Sequence, residues 1–295
     1  MATPIGNLGD LSTRACDILR SVSLIAAEDT RVSGPLLRQI GARADLIAVH
    51  AHNERSRIDQ IIALLRTGAS CALISDAGTP AISDPGARLV AGVQAVGLRV
   101  IPVPGPSAVT ALLSVAGLDA DRFGTAAGRF LFEGFLPARS GQRRQRLTDL
   151  VPLEATLVLL ESPHRIAACL ADLAAVFGAD RWLVIGRELT KRFEQIAAMP
   201  LGEAGAWVAA DGHHERGEFV LAIAPAPRRA NDHPDDAPTA TSLTQASPLS
   251  ITTSAGALMQ LLLAELPPAR AAKIARRLTG ASQDDFYAIA STLKR

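Results

Sequence analysis

Apolar and polar positions follow two periods along most of the chain. Four short apolar runs read as buried strands: Leu24-Ile25-Ala26-Ala27, Leu46-Ile47-Ala48-Val49, Cys71-Ala72-Leu73-Ile74 and Val100-Ile101-Pro102-Val103. Helical patterns lie between them. Asp10 caps a helix to about Val22, and Ser33 to Ile40 is closed by Gly41. Ile58, Ile61, Ile62 and Leu65 mark one helix face ended by Gly68. Asp84 is an N-cap with Pro85 at the first helical position, and Gly97 closes that helix. Ser107 to Ala116 is a fifth helix, ending at Gly117. Strands alternating with short helices predict a parallel sheet covered on both faces.

A second unit begins near residue 121. Strand patterns fall at 130–135, 156–160, 183–185, 193–197 and 219–223, and helices fit 142–150, 163–177 and 200–210. Two late strands with no helix between them predict a mixed sheet. Residues 225–249 are rich in Pro, Ala, Thr, Ser and Asp without periodicity and read as a linker. Beyond it Leu261, Leu262, Leu263 and Leu266 lead into Pro267-Pro268, then a run from Ala271 to Leu278, and a capping-box start at Ser282 with Asp285. The predicted organisation is an α/β domain at 1–120, a second α/β domain at 121–225, a linker at 226–250 and a small helical domain at 251–295.

Composition narrows the class. The 295 residues are 48% hydrophobic and 20% charged, which excludes a wholly disordered chain. No run of eighteen apolar residues argues for a membrane span, and the first residues lack a basic stretch followed by an apolar one. Cys16, Cys71 and Cys169 are far apart and without metal spacing, so they read as thiols of a reducing cytosol, and no metal is expected. Lys plus Arg is 30 against 29 for Asp plus Glu, so any nucleic-acid contact must come from local patches.

Three loops follow or precede strands at the end where α/β folds bind ligands. The first is Thr3-Pro4-Ile5-Gly6-Asn7-Leu8-Gly9-Asp10. Its glycines allow close backbone approach, but the spacing is neither G-x-G-x-x-G nor a phosphate loop, and a plain tight turn is the alternative. Glu28 and Asp29 lie about twenty residues on, where a ribose-binding acid sits in dinucleotide folds. A strand should precede this loop: either it lies upstream of Met1, the favoured reading, or the sheet lacks a strand its pattern expects. The second loop, Ser75 to Gly86, holds two Pro, two Asp and two Gly in a strand-to-helix connection and points to ligand binding. The third, Pro102-Val103-Pro104-Gly105-Pro106-Ser107, is stiffened by its prolines. Glu161-Ser162-Pro163-His164-Arg165 and Arg187-Glu188-Leu189-Thr190-Lys191 stand at strand ends of the second unit. Ser162-Pro163 reads as an N-cap with Pro at N1, placing His164 and Arg165 in the first helical turn. Lys191 is one of three lysines in the chain. Arg139, Arg143, Arg144 and Arg146 fall within eight residues with no acid before Asp149, which suggests an anionic partner such as RNA or else a solvated face.

Taken together, these segments and Phe132-Glu133-Gly134-Phe135-Leu136-Pro137 resemble the bacterial 16S ribosomal RNA (cytidine-2′-O)-methyltransferases, within the tetrapyrrole methylase superfamily. The likeness covers about residues 2–224 in order, and the helical tail resembles the C-terminal helical domain of the same enzymes. Residues 124–128 look like a short insertion. The resemblance implies two α/β domains with a cofactor cleft between them, S-adenosylmethionine as donor, a homodimer, a cytoplasmic location, and methyl transfer to the ribose 2′-oxygen of a cytidine in the decoding region. Pro4, Ser75, Asp76, Ala77, Gly78, Thr79, Ser83, Pro106 and Ser107 are the expected cofactor residues. Arg31, the arginine run, His164 and Arg165 are the expected RNA contacts.

A base near the 2′-hydroxyl would assist the reaction. Candidates are Glu28, Asp29, Glu161, His164, Glu188 and a Lys191 of lowered pKa, with Glu28 and Lys191 favoured as polar groups on loops facing the crevice. Rival readings are a methyltransferase of corrin or porphyrin precursors, an inactive ribosome-binding relative, and a nicotinamide dehydrogenase, the last opposed by the glycine spacing.

Overall fold

The computed structural model describes residues 1–50, 53–226, 259, 262–263, 266–279, 286 and 289. Residues Met1–Arg229 form one compact unit and Ala230–Arg295 another.

The first sheet grows from Leu24–Ala27 (β1), four apolar residues buried on both faces. Asp45–Ala48 (β2) and Cys71–Ile74 (β3) flank it in parallel, giving the order β2-β1-β3. Alternation along β1 sends Ile25 and Ala27 to one core, with Leu19 of helix Thr13–Ser21 (α1) and Leu37 of helix Thr30–Gln39 (α2). Leu24 and Ala26 enter the opposite core, with Ile61 of helix Glu54–Arg66 (α3) and Leu89 and Val93 of helix Ala87–Ala95 (α4). The predicted doubly covered parallel sheet is present.

Its local starts differ from the expected ones. Asp10 closes a short 3-10 turn capped by Asn7, and α1 is capped by Ser12, whose hydroxyl accepts from the Ala15 N–H. Asp29, not Ser33, opens α2 by accepting from the Arg31 N–H. Residues 100–103 form no strand. Met1-Ala2 joins them to β3: the Met1 ammonium donates to Leu73 O and the Ala2 N–H to Val103 O. Pro102 has no N–H to offer a ladder.

Helix Ala108–Val115 (α5) leaves the first sheet and packs under the second, placing Val109 and Leu112 against Val158, Val184 and Val220. A helical turn at Ala120–Phe123 (α6) leads into the second sheet. That sheet holds Phe130–Phe135 (β4), Thr156–Glu161 (β5), Trp182–Arg187 (β6), Gln195–Pro200 (β7) and Phe219–Ile223 (β8). Its order is β4-β5-β8-β6-β7, parallel only between β4 and β5, so the predicted mixed sheet is present. Ser140–Leu150 (α7), Ile166–Phe177 (α8) and Leu201–Ala210 (α9) cover its other face. Ser162-Pro163 does not start α8. The Ser162 N–H donates to Glu161 Oε1 and its carbonyl accepts from Arg165, so 162–165 is a turn and the helix begins at Ile166.

In the C-terminal unit Pro268–Thr279 (α10) is helical. Met259, Ala271, Ala272, Ala275 and Phe286 form its core. The expected linker beyond Ala226, Leu261 and the Ser282–Asp285 cap lie outside the described residues. Among the described residues no helix is long and apolar enough to cross a membrane.

Candidate active site

Hydrogen bonds tie the three predicted loops together. The Thr3 N–H donates to Gly78 O and the Gly78 N–H to Thr3 O, while the buried Thr3 hydroxyl donates to Ser75 O at 3.0 Å. The Thr79 hydroxyl donates to Pro106 O at 3.2 Å, joining the second loop to the third. Gly105 lies so close to Ala2 that a Cβ there would meet the alanine methyl at 2.9 Å. Pro4, Ser75, Asp76, Ala77, Gly78, Thr79, Pro106 and Ser107 therefore sit on or beside one set of linked turns.

The second loop is held in an uncommon backbone. Ala81 and Ser83 have φ of 66° and 67°, and Gly78 and Gly86 add two more positive values. Non-glycine residues in that region cost energy and persist only where their surroundings fix them. One fixing group is Glu54, a buried residue in the first turn of α3. Its Oε1 accepts from Gly86 N at 3.1 Å and Leu89 N at 3.0 Å, capping α4 from another helix. Asp84 is therefore not the cap the sequence suggests: the chain turns at Gly86 with φ 129°, and α4 starts at Ala87.

Freed from capping, Asp84 joins an acidic group. Burial, reinforced by the charges of Glu28 and Asp76, pushes its carboxyl up to about 6 despite the nearby Ser75 hydroxyl. Burial and the Asp76 charge also raise Glu28. Asp76 binds the two strand ends together, its Oδ1 accepting from Asp29 N at 2.9 Å. Asp29 differs, because the Arg31 side chain and N–H hold it near 2. That makes Asp29 a weak base and engages Arg31, whose exposed guanidinium forks onto it.

The second sheet brings Lys191 to this region. A Cβ on Gly6 would meet Lys191 Cγ at 2.3 Å, so the lysine stem lies across the first loop. Its ammonium donates to Glu188 Oε1 at 2.8 Å and Glu218 Oε2 at 3.1 Å. Burial alone would lower Lys191, but these two carboxylates outweigh it and raise its pKa. The lowered pKa expected of Lys191 is thus not found, and the residue stands as a fixed cation. Burial likewise pulls Glu188 upward, yet its bonds to Lys191 and the Glu218 N–H bring it below the usual range. Near the second loop, a Cβ on Gly134 would touch Ser83 Oγ at 3.0 Å, bringing β4 against Ser83.

Other candidates lie elsewhere. Glu161 is 2% exposed and contacts Ser162, Arg165 and Cys169, on the α8 side of its strand. The arginine run is not unbalanced. Arg143 is 3% exposed and bonds Asp172, Pro137 O and Ala138 O, while Arg144 shares Asp172 and Arg146 forks onto Glu133. The acids that balance it come from α8 and β4, out of view in a local sequence window. Arg165 donates to Leu136 O, so with Arg143 it anchors the 136–138 segment. Arg139 and His164 remain exposed.

Residues 2–205 match the family model for tetrapyrrole (corrin/porphyrin) methylases. The chain belongs to that family. Residues 250–294 match a second model, the RsmI C-terminal HTH domain. Curated relatives named ribosomal RNA small subunit methyltransferase I include those of Pseudomonas aeruginosa (46% identical over 97% of this chain and 94% of the relative) and Xylella fastidiosa Temecula1 (47%, 97% and 96%). The Escherichia coli O157:H7 relative is 42% identical over 97% of this chain and 91% of its own length. Among solved structures, uroporphyrin-III C-methyltransferase from Thermus thermophilus aligns with a TM-score of 0.51 at 19% identity, covering 76% of this chain and 91% of that one. The cobalt precorrin-4 methyltransferase CbiF aligns at 0.54 and 16%, covering 75% and 92%. At such identities these two speak for the methylase fold alone.

In this methylase-family chain, Glu54, Arg187 and Glu218 escaped the sequence reading. Glu54 and Glu218 act on segments distant in sequence. Arg187, in a quoted motif, is a buried cation donating to Phe193 O, His213 O and Arg216 O and to Gln195 Oε1. An arginine inside an apolar strand run is the one local signal for it.

Proposed function

We propose that this protein methylates the ribose 2′-oxygen of a cytidine in the decoding region of 16S ribosomal RNA, with S-adenosylmethionine as donor. The observation that carries the reading is the near full-length likeness to ribosomal RNA small subunit methyltransferases I, at 46–47% identity in two of them. Homodimeric assembly, a cytoplasmic location and the division at 120/121, 225/226 and 250/251 belong to the same proposal.

The residues at the linked loops suit such a donor. Glu28, Asp76 and Asp84 crowd negative charge that a sulfonium cation would relieve, and carboxylates accept from ribose hydroxyls. Gly78, at φ 74°, leaves only ordinary contacts where a side chain would stand, so backbone approach there is open. We assign cofactor holding to Pro4, Ser75, Asp76, Ala77, Gly78, Thr79, Ser83, Pro106 and Ser107.

S-adenosylmethionine supplies an already activated methyl group, so the protein's main task is alignment of the acceptor oxygen. The 2′-hydroxyl is a weak acid. Glu28, whose pKa is raised by burial and by the Asp76 charge, is the better-matched proton acceptor. Lys191, held as a cation, steadies negative charge developing on the oxygen. Glu188 orients Lys191. Glu161 enters only through the fold of the 161–165 turn. Arg31, Arg139, Arg144 and His164 offer exposed groups to RNA and Arg146 a half-buried one, and Arg143 and Arg165 shape the segment that presents Arg139.

The test is incubation with methyl-labelled S-adenosylmethionine and small subunits lacking the modification, followed by nucleoside mass spectrometry. Labelled 2′-O-methylcytidine is the expected product. Label on another nucleoside, or none, refutes the assignment.

A further inference from the structure

The segment after Lys191 carries a feature that neither the fold nor the proposed chemistry uses. Lys191–Glu194 is a tight turn closed by Glu194 N–H donating to Lys191 O at 3.1 Å. Phe193, at its tip, is 66% exposed, the most exposed of the large hydrophobic side chains among the described residues. The turn under it is braced on several sides. Thr190 N donates to Glu194 Oε2 at 2.6 Å, Lys191 N to Glu188 O at 3.0 Å, and Arg187 Nη1 to Phe193 O at 3.3 Å. Glu188 and Thr190 hold positive φ, at 51° and 67°. A chain that fixes its backbone this firmly and turns an aromatic ring to solvent is presenting that ring.

The surroundings define what the ring suits. The Arg192 guanidinium carbon lies 5.5 Å from its centroid. Among the described residues no carboxylate pairs with Arg192 within 4.0 Å. The acids nearby are engaged: Glu188 and Glu218 on Lys191, Glu194 on Thr190 N. A largely exposed aromatic ring, with a guanidinium over it that meets no carboxylate among the described residues, matches an unstacked base with its phosphate, the common mode of single-stranded RNA recognition. Two residues away, Lys191 lies across the first loop.

We propose that Phe193 is a stacking platform for an unpaired nucleobase of the RNA substrate, with Arg192 facing the adjoining phosphate. The inference rests on the ribosomal RNA reading above. It adds a base-binding position beside the site of methyl transfer.

The experiment compares full-length wild type, Phe193→Ala and Phe193→Trp. Affinity for unmodified small ribosomal subunits is measured by sedimentation, S-adenosylmethionine affinity by calorimetry, and oligomeric state by analytical ultracentrifugation. Loss of one stacked base predicts about 5- to 150-fold weaker subunit binding by Phe193→Ala, with Phe193→Trp restoring it. Donor affinity and oligomeric state stay unchanged. Equal subunit binding by Phe193→Ala overturns the proposal. So does a parallel fall in donor affinity, which would make the ring structural. A changed oligomeric state also overturns it, assigning Phe193 and the neighbouring exposed Ile196 to a contact between copies. Wild type that fails to bind subunits refutes the ribosomal RNA reading itself.

Discussion

Asp84→Asn isolates the electrostatics of the linked loops. In the folded protein the Asp84 carboxyl sits at about 6 rather than its ordinary 3.8, with burial the largest cause and the Glu28 charge the next. A folded pKa above the unfolded one means the folded state holds the proton more tightly. The stability this contributes is complete below about 3.8 and is lost as pH rises through about 6. The gap of about two pH units sets a ceiling near 3 kcal/mol at about 1.36 kcal/mol each. Asp84 is only half buried, and solvent screening leaves about 1 kcal/mol. Asn cannot ionise, so the variant should match wild type below about pH 3.8 and exceed it increasingly as pH rises through about 6. For one compact unit of this size that is a rise in melting temperature of about 2–4 °C. Donor binding should move oppositely. A sulfonium ligand favours ionised Glu28, Asp76 and Asp84, so wild-type affinity should climb between pH 5 and pH 7, and Asp84→Asn should flatten that climb. Thermal unfolding and calorimetric titration with S-adenosylmethionine, each at several pH values, read both effects. Identical pH profiles for the two proteins would refute the acidic cluster as the electrostatic partner of the donor.

Gly6→Val places a side chain where Lys191 Cγ now lies, 2.3 Å from the Cβ position, and should cut methyl transfer by about a hundredfold or more in the labelled-donor assay. Unchanged turnover would remove Lys191 from the mechanism. Arg143→Met leaves Asp172 buried with Arg144 and Ser140 alone, a loss of about 3–5 kcal/mol in denaturant unfolding at pH 7. Burial would raise Asp172, but its bonded partners keep it below the usual range, so the deficit should shrink as pH falls toward that value and the carboxylate protonates. Glu54→Ala strips the Gly86 and Leu89 N–H groups of their acceptor, about 1–3 kcal/mol by unfolding, and Glu54→Gln, keeping one oxygen, should recover part of it.

What the sequence discloses follows the range of the forces involved. Strands β1 to β3 and the mixed second sheet were legible because apolar runs and their alternation are local. The strand expected at 100–103 was not formed, although Val100 and Ile101 are good strand residues, because a strand exists only with a neighbour to bond. Asp84-Pro85 and Ser162-Pro163 carry strong helix-start signals that lost to longer-range acceptors: Glu54 reaches Gly86 and Leu89, and Glu161 takes the Ser162 N–H. The arginine run shows the same limit in charge. It is unbalanced in a sequence window, yet Asp172 and Glu133 reach it from other elements. The three loops were legible as ligand-binding candidates from glycine and proline alone. Their mutual hydrogen bonds were not, since Thr3 and Gly78 are 75 residues apart.

On the proposed reading, the opposite demands on a base and on a fixed cation give Glu28 and Lys191 different roles. A general base must be free of its proton at working pH and still bind one well. Lys191 fails the first condition, because Glu188 and Glu218 raise its pKa. Asp29 fails the second, since Arg31 holds it near 2. Glu28 suits the role better, its carboxyl raised by burial and by the Asp76 charge. Glu28 and Lys191 are nonetheless complementary on this reading. Lys191 arrives from the second sheet with a fixed positive charge, and Glu28 stands at the end of β1 with a proton-accepting oxygen. On the proposed reading the acceptor hydroxyl loses its proton to Glu28 while Lys191 meets the charge growing on its oxygen. Glu28→Gln should therefore lower turnover at every pH, whereas Lys191→Met should lower it without shifting the acidic limb of the pH–rate profile. If Lys191→Met instead abolished an ionisation seen in wild type, the lysine would be the base and this division of roles would be wrong.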